Sequence, residues 1–555
     1  MNDHVRSVGP QLLGLDGSRH GSSFVRGSGF LDGMFLDAAA LAARLDACVT
    51  EEQWLDAVAR TNGCFAAITL RGGGALAAVD RIRSIPVFYS SAGGAMLVSD
   101  SAHRIRDALG SGQIDPISAA EFRLTGYVTG AQTLDPAIRQ IEAGCALIWR
   151  RDQAPESRRF HSFKHADFID SSTSQLVDSL DQLHGRVFRR LLDSTDGRGL
   201  VVPLSGGYDS RLIGVMLRDL GARDVTCYTY GVPGNWEAKI SRELATYLGF
   251  RWEFVEYSAQ RWRQWSSLEP FGRYLREAGN LTSTPHVQDW PAVHQLKQEG
   301  RIAPDAVFVP GHSGDFLAGS HVPKHFVERD AVQRQDVLDA VHSGHYALWD
   351  WPPDPQRELR RTLDGKIECS AGTLGDGTCE QAADAFERWD LQERQAKFIC
   401  NAVRVYDHFG HEWRLPLFDH ELMDFWARIP VELRVGRRLY FEFVQQRQRL
   451  PVTRANLDQN AAHRALIRLV EVLGLRSLGK RAERALQMLR WRHQYDSSHL
   501  AWYALIDRDY FRRTYTGREI LHAYMARAYL DWASGLSGPE SAASAIDAFA
   551  RQRAV

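Results

Sequence analysis

The stretch VVPLSGGYDSRL, residues 201–212, decides how this chain is read. Val201 to Leu204 are apolar and describe a buried strand, and a helical pattern starts at Arg211. Between them stand two glycines, two serines and Asp209. A buried strand that ends in glycines and restarts as a helix builds an anion site. Glycine lets the backbone turn tightly, so several N–H groups face one ligand. The helix start adds unsatisfied N–H groups and a partial positive charge. Leu204, Ser205, Gly206, Gly207 and Ser210 therefore read as the lining of a phosphate loop. Asp209 would repel a bare phosphate and makes sense only beside a cation; Mg²⁺ bridging carboxylate and phosphate is the simplest assignment. The stretch carries neither GxxxxGK[ST] nor GxGxxG, so it is not a Walker or dinucleotide loop. The plain alternative is a tight turn with no ligand.

The surroundings support a parallel sheet. A helix is expected over residues 171–193, with Leu176, Leu180, Leu183, Val187 and Leu191 recurring every three or four positions. Strand GLVVPL, helix SRLIGVMLRDLG, strand VTCYTYG, helix WEAKISRELATYLG, and strands WEFVEY and DAVFVPG follow. Strands alternating with helices imply a parallel sheet covered on both faces. Before residue 165 the chain is strand-rich: CFAAITL, GALAAVD, IPVFYSS, AMLVSD and CALIWR are short, apolar and bounded by turn residues. The polar stretch RRDQAPESRRF marks a boundary near residue 160. Residues 320–390 read as a helical insert or lid, and 391 to about 535 as helical. The basic amphipathic run from Arg464 to Arg492 reads as a solvated helix face. The expected domains are 1–165, 166–535 and a frayed tail, 536–555.

Bulk composition narrows the class. The 555 residues are 44% apolar and 24% charged with a net charge of −1, the profile of a globular protein. No basic field argues for nucleic acid, and no apolar run reaches the length of a membrane span. The first residues, MNDHVRSVGPQ, hold no signal-peptide core. The seven cysteines are scattered without a CxxC pair, which points to reduced thiols, a cytoplasmic location and no zinc.

SGGxDS after an apolar strand resembles the pyrophosphate loop of N-type ATP pyrophosphatases, and among these the chain most resembles the asparagine synthetase family. YTYGVPGN (228–235) resembles the family's second-strand segment, placing Tyr230 and Gly231 against adenine. STPHV (283–287) resembles its Ser-Thr-Pro helix start. VPGHSGD (309–315) resembles its Ser-Gly-Glu-Gly-Ser-Asp loop, placing Gly311 at the nucleotide and Asp315 with Asp209 on Mg²⁺. EWRLPLFDHELMDF (412–425) resembles its Arg-Val-Pro-Phe-Leu-Asp segment. TNGCFAAITL, VDRIRSIPVFYSS, AMLVSD and GYVTGAQTL…IRQIEAGCALIW follow the family's glutaminase domain in order. The resemblance implies an α+β, Ntn-like glutaminase-type sandwich. An α/β parallel-sheet synthetase domain of the adenine nucleotide alpha hydrolase type, with a helical C-terminal part, would follow.

Several positions depart from the family. Its glutaminase uses an N-terminal Cys, and here the chain reads Met1-Asn2-Asp3, with Cys48 the first cysteine; the expectation is a degenerate glutaminase and ammonia or an amine from a separate source. His312 stands where the family has Glu and the related β-lactam synthetases Tyr. Glu393 resembles the acid of the family's Asp-Arg or Asp-Lys pair, so a His312–Glu393 base dyad is expected. The catalytic Lys has no clean match; Arg454 could supply its charge but not its proton. The arginine preceding Ser-Thr-Pro aligns with Leu281, which argues against free aspartate, while Asn280, Thr282, His286 and Asp289 suggest a hydroxylated ligand.

These readings converge on an ATP- and Mg²⁺-dependent amide-forming ligase that adenylates a carboxylate. The GHSGDF and YGVPGN variants resemble proteins of bacterial surface-polysaccharide clusters, implying a sugar uronic acid as substrate. True asparagine synthesis, lasso-peptide or β-lactam type cyclisation, and a non-catalytic nucleotide-binding partner stay open. No nucleic-acid or membrane partner is expected; a homodimer is one assembly the sequence allows.

Overall fold

The computed structural model describes residues 10–91, 96–329, 331–352, 356–372, 374, 377–447, 491–515, 520–536, 538 and 540–552. The N-terminal unit holds two sheets. The larger runs Glu156–Arg159, Cys145–Trp149, Gly74–Val79, Asn62–Arg71, Ser23–Leu31 and Ser18–His20, with Met34–Leu36 also on Ser23–Leu31. The smaller joins Gln11–Leu12, Leu97–Ser99, Phe88–Ser90 and Arg139–Gln140. Helices Ala38–Asp46 and Glu51–Arg60 bury Leu41, Leu45, Trp54 and Val58 in a core shared with Val25, Phe65, Ala67 and Ala146 of the larger sheet. The expected apolar strands all form. RRDQAPESRRF is not a plain linker, because Glu156–Arg159 pairs antiparallel with Cys145–Ile148.

The second unit opens with the helix Thr173–Asp193, whose N-terminus is closed by a Ser172–Gln175 capping box. Its four-stranded sheet is wholly parallel, in the order Arg251–Glu256, Val225–Gly231, Leu200–Pro203, Val307–Phe308. Leu200–Pro203 comes first in sequence but third in space. The chain leaves it to one side for the second and third strands and returns on the other side for the fourth. The loops after Pro203 and after Phe308 therefore flank the point where strand order reverses, the place where parallel α/β sheets bind ligands.

Residues 320–390 fold into helices, including Arg334–His345, Gln356–Ala371 and Cys379–Asp390. Their core, with Phe326, Leu338, Leu363, Phe386 and Trp389, reaches Leu124 of the N-terminal unit. A nine-residue π-helix, Leu391–Ile399, then leads back to the sheet. The Arg464–Arg492 run falls largely outside the described residues.

Two expectations fail here. The Ser-Thr-Pro stretch does not start a helix. It runs extended against the N-terminal unit: Val128 N–H donates to Thr282 O, Leu134 N–H to Leu281 O and Thr284 N–H to Gly126 O. The helix begins at Trp290. The described part of the tail, residues 540–552, is packed rather than frayed. Ala543, Ile546 and Phe549 are buried, and the Phe549 ring meets those of Tyr529 and Trp532. A short apolar segment that covers an exposed core face is held by packing rather than by composition.

Candidate active site

The SGG loop is built largely from its own atoms. Ser205 N–H donates to Ser210 Oγ at 3.2 Å, the two serine hydroxyls meet at 3.1 Å, and Gly207 N–H donates to Ser205 Oγ at 3.1 Å. Arg211 Nη2 donates to Gly206 O at 2.7 Å and holds the turn from below. A Cβ on Gly206 would stand 2.8 Å from the Trp236 ring. Gly207 is the N-cap of helix Tyr208–Asp219, and no side chain caps that end. Its first N–H groups are left for an anion, as the sequence implies.

The second loop meets the first across the switch point. Asp315 N–H donates to Asp209 Oδ2 at 3.1 Å. Tyr440 O–H donates to Asp209 Oδ1 at 2.5 Å. A Cβ on Gly311 would lie 3.1 Å from Ser210 N and one on Gly314 3.2 Å from Asp209 Oδ1, so the two glycines let the loops approach closely. Burial and the neighbouring Asp315 charge push the Asp209 carboxyl up to about 7. Two carboxylates brought together against this cost are what a divalent cation relieves, and a pair of hard oxygen donors suits Mg²⁺, which binds through one or two carboxylates plus phosphate oxygens. Arg437 adds a positive field at Asp209 and lies over the Phe441 ring.

Tyr230 and Gly231 end the neighbouring strand. The Tyr230 ring stacks on Tyr257 at 4.9 Å and 11°. Gly231 takes φ +130, and a Cβ there would meet His499 O at 2.8 Å, so only glycine lets the chain pass. Of the residues read as ligand-facing around Ser-Thr-Pro, Asn280 instead ties the units together, accepting from Ala102 N–H and donating to Asp100 O. His286 Nε2 lies 2.8 Å from Phe398 O, and Asp289 accepts from the Tyr228 and Tyr406 hydroxyls. Thr282 is buried, with its carbonyl taken by Val128.

The expected His312–Glu393 dyad is overturned. Glu393 is fully buried and accepts from Lys397 Nζ at 2.5 Å, Gly130 N–H at 3.0 Å and Ser370 Oγ. Burial would raise its pKa, but Lys397 together with the Ser370 and Gly130 hydrogen bonds holds it low. One turn of helix brings Lys397 to Glu393, and this local pair takes the carboxylate that His312 was expected to share. His312 stands beside Asp315 with its Nδ1 buried and unpartnered, its pKa pushed down to about 4 by burial. Arg454 lies outside the described residues.

A different imidazole carries a carboxylate. His321 Nδ1 is 2.6 Å from the buried Asp390 Oδ2. Burial would lower the His321 pKa; Asp390 outweighs it and holds it above the ordinary value, with Asp315 adding to the same side. His321 follows the Gly311–Asp315 loop, and its ring lies 5.7 Å from that of Phe316. No local spacing joins residue 321 to residue 390, nor Tyr440 and Arg437 to Asp209; only the tertiary fold does.

A family model described as asparagine synthase matches residues 195–519. Two solved structures show partial likeness at 14% identity and TM-score 0.18. One, described as the allosteric regulatory enzyme of purine biosynthesis, is matched over 42% of this chain and 59% of its own. The other, glutamine phosphoribosylpyrophosphate amidotransferase from B. subtilis complexed with ADP and GMP, is matched over 53% of this chain and 63% of its own. The chain thus spans about three fifths of each of those structures. No curated protein sequence matches the chain.

Proposed function

The chain belongs to the asparagine synthase family, whose chemistry is ATP-dependent carbon–nitrogen ligation, and from that premise we propose that it joins ammonia or an amine to the carboxylate of a sugar uronic acid in surface polysaccharide synthesis. The observation that carries the ligase reading is the bond from Asp315 N–H to Asp209 Oδ2, which sets two acids side by side at the switch point of a parallel sheet.

In this reading Ser205, Gly206, Gly207 and Ser210 receive the departing pyrophosphate at the uncapped helix start. Asp209 and Asp315 hold Mg²⁺, which when bound offsets phosphate charge. The acceptor carboxylate attacks the α-phosphorus, pyrophosphate leaves, and the amine displaces AMP from the acyl-adenylate. His321, oriented by Asp390, takes the proton of the incoming amine. Its raised pKa suits a base working near neutral pH better than His312 at about 4. The uronic acid is favoured over aspartate because Leu281 is buried and its N–H is taken by the Tyr529 hydroxyl, which leaves no cation at that place.

Calorimetry with Mg²⁺ and a non-hydrolysable ATP analogue tests the site. Binding to the wild-type chain should fall at least about tenfold in Asp209→Ala and in Asp315→Ala. Unchanged affinity in both variants would remove the site. Incubating the chain with ATP, ammonium and glucuronate or galacturonate should release AMP, pyrophosphate and the uronamide; turnover of aspartate alone would move the reading to asparagine synthesis.

A further inference from the structure

Arg394 is a half-buried cation with no direct ion pair to an acid among the described residues. Its one recorded polar approach is from Nη1 to His321 Nδ1, at 3.5 Å. That nitrogen sits 2.6 Å from the Asp390 carboxylate and so carries its proton there, which leaves it nothing to accept with. Asp390 is close enough to act on Arg394 electrostatically, yet its oxygens go to His321 and to Gln395 Nε2. The adjacent Glu393 turns to Lys397. A half-buried guanidinium with no acid bonded to it has donors free for an anion, and the partly lowered dielectric strengthens that contact.

The surroundings place that anion at the nucleotide loops. His321 feels both Asp315 and Arg394. His286 feels both His312 and Arg394. Arg394 thus lies against His321, whose ring is 5.7 Å from that of Phe316, the residue after Asp315. It rises from the π-helix Leu391–Ile399, a geometry frequent at functional sites.

We propose that Arg394 docks the reacting carboxylate of the acceptor acid and then holds the acyl oxygen while the amine attacks; this rests on the ligase reading above. One carboxylate oxygen attacks the α-phosphorus, and the bond from phosphorus to pyrophosphate breaks. The other oxygen stays on the guanidinium as the acyl carbonyl. Amine attack forms the C–N bond and moves the carbonyl electron pair onto that oxygen, where Arg394 offsets the charge. Collapse restores the carbonyl and breaks the bond to the AMP oxygen, and the amine proton passes to His321. A preorganised cation at the developing oxyanion acts on the chemical step itself.

Two nucleoside probes test this on the full chain: 5′-O-(N-acetylsulfamoyl)adenosine, which carries an acyl carbonyl, and 5′-O-sulfamoyladenosine, which lacks it. Wild type should bind the acyl compound about tenfold or more tightly than the other, the size of one charge-assisted hydrogen bond. Arg394→Gln should remove most of that preference and leave the affinity for 5′-O-sulfamoyladenosine within about twofold. Arg394→Met, similar in reach, repeats the measurement where the glutamine variant does not fold. If both probes bind and both variants keep the wild-type preference, the assignment of Arg394 is wrong while the ligase reading stands. If neither probe binds the wild type at millimolar concentration, the ligase reading falls and takes this inference with it.

Discussion

Glu393 and Arg394 are neighbours in sequence, yet they face different chemistries, and the difference is decided by what lies one helical turn away. Glu393 and Lys397 are both wholly buried and joined as i and i+4 partners. Replacing Glu393 with Gln strands the Lys397 ammonium in the core, so denaturant unfolding should show a loss of about 3–5 kcal/mol. Glu393→Gln/Lys397→Met should recover part of that loss. Recovery would mark Glu393 as structural; a stable single variant with lost ligation would return it to the chemistry. His321 and Asp390 give a pH test. The folded state raises the His321 pKa, so that part of the stabilisation is full below the free imidazole value of about 6.5 and is lost as pH rises through the folded value. It lowers the Asp390 pKa, so that part is present above the free value of about 3.9 and is lost as pH falls. His321→Gln should therefore cost most stability between about pH 5 and 6 and less at pH 9. Thermal melts across that range check it, and a penalty that does not vary with pH would contradict the pairing.

Elements divide by how local their causes are. Val201–Leu204 were legible because an apolar run ending in glycines has few other uses. Helix Thr173–Asp193 was legible because its buried residues keep the helical period and its cap is local. Ser23–Leu31, the strand beside Asn62–Arg71, was missed. Arg26, Gly27 and Gly29 break its alternation, and their reasons lie elsewhere in the fold: Arg26 pairs with Asp100 and Asp407, and a Cβ on Gly27 would stand 2.1 Å from Cys64 O. In the candidate site, Asp209 and Asp315 were readable from glycine-flanked strand ends and Arg394 stands beside the acid matched to the family's Asp-Arg pair, whereas Tyr440, Arg437 and His321 carry no local signal. The loop itself makes a sharp prediction. Gly206→Ala would press a methyl against the Trp236 ring. At 2.8 Å the contact cannot stand, so the loop backbone or the half-buried indole must shift, and either change disturbs the turn that receives the phosphates. ATP-analogue affinity should drop about tenfold or more in calorimetry, with the melting temperature little changed. Native affinity would show that the loop backbone does not contact the nucleotide.

On the scale of the molecule, the two units share one core and exchange polar contacts. Asn62 Nδ2 donates to Asp419 Oδ2 at 3.0 Å and its Oδ1 accepts from His420 N–H. Phe163, in the connecting segment, is buried with its ring 6.0 Å from that of Phe316, beside the Asp315 loop. A sheet unit so closely joined to a ligase site would suit a nitrogen donor, and that role requires a nucleophile. The thiolate is the reactive form of cysteine. Burial pushes Cys64 and Cys227 up to about 12 and Cys145 up to about 11, and raises Cys48 and Cys400. Cys369 and Cys379 belong to the helical insert, outside the N-terminal sheets. Cys64 is the thiol best placed to mislead. It lines a cavity between the units with Asp80, Arg414 and Asn62, but its thiol is protonated at any physiological pH. The chain should therefore release no glutamate from glutamine above a blank. Its amide formation should rise with ammonium and stay flat with glutamine. Cys64→Ala should leave the ammonium-dependent rate within about twofold, since a half-buried protonated thiol acts only through packing. Glutamate release that disappears in Cys64→Ala would overturn this and make the cavity between the units a working glutamine site.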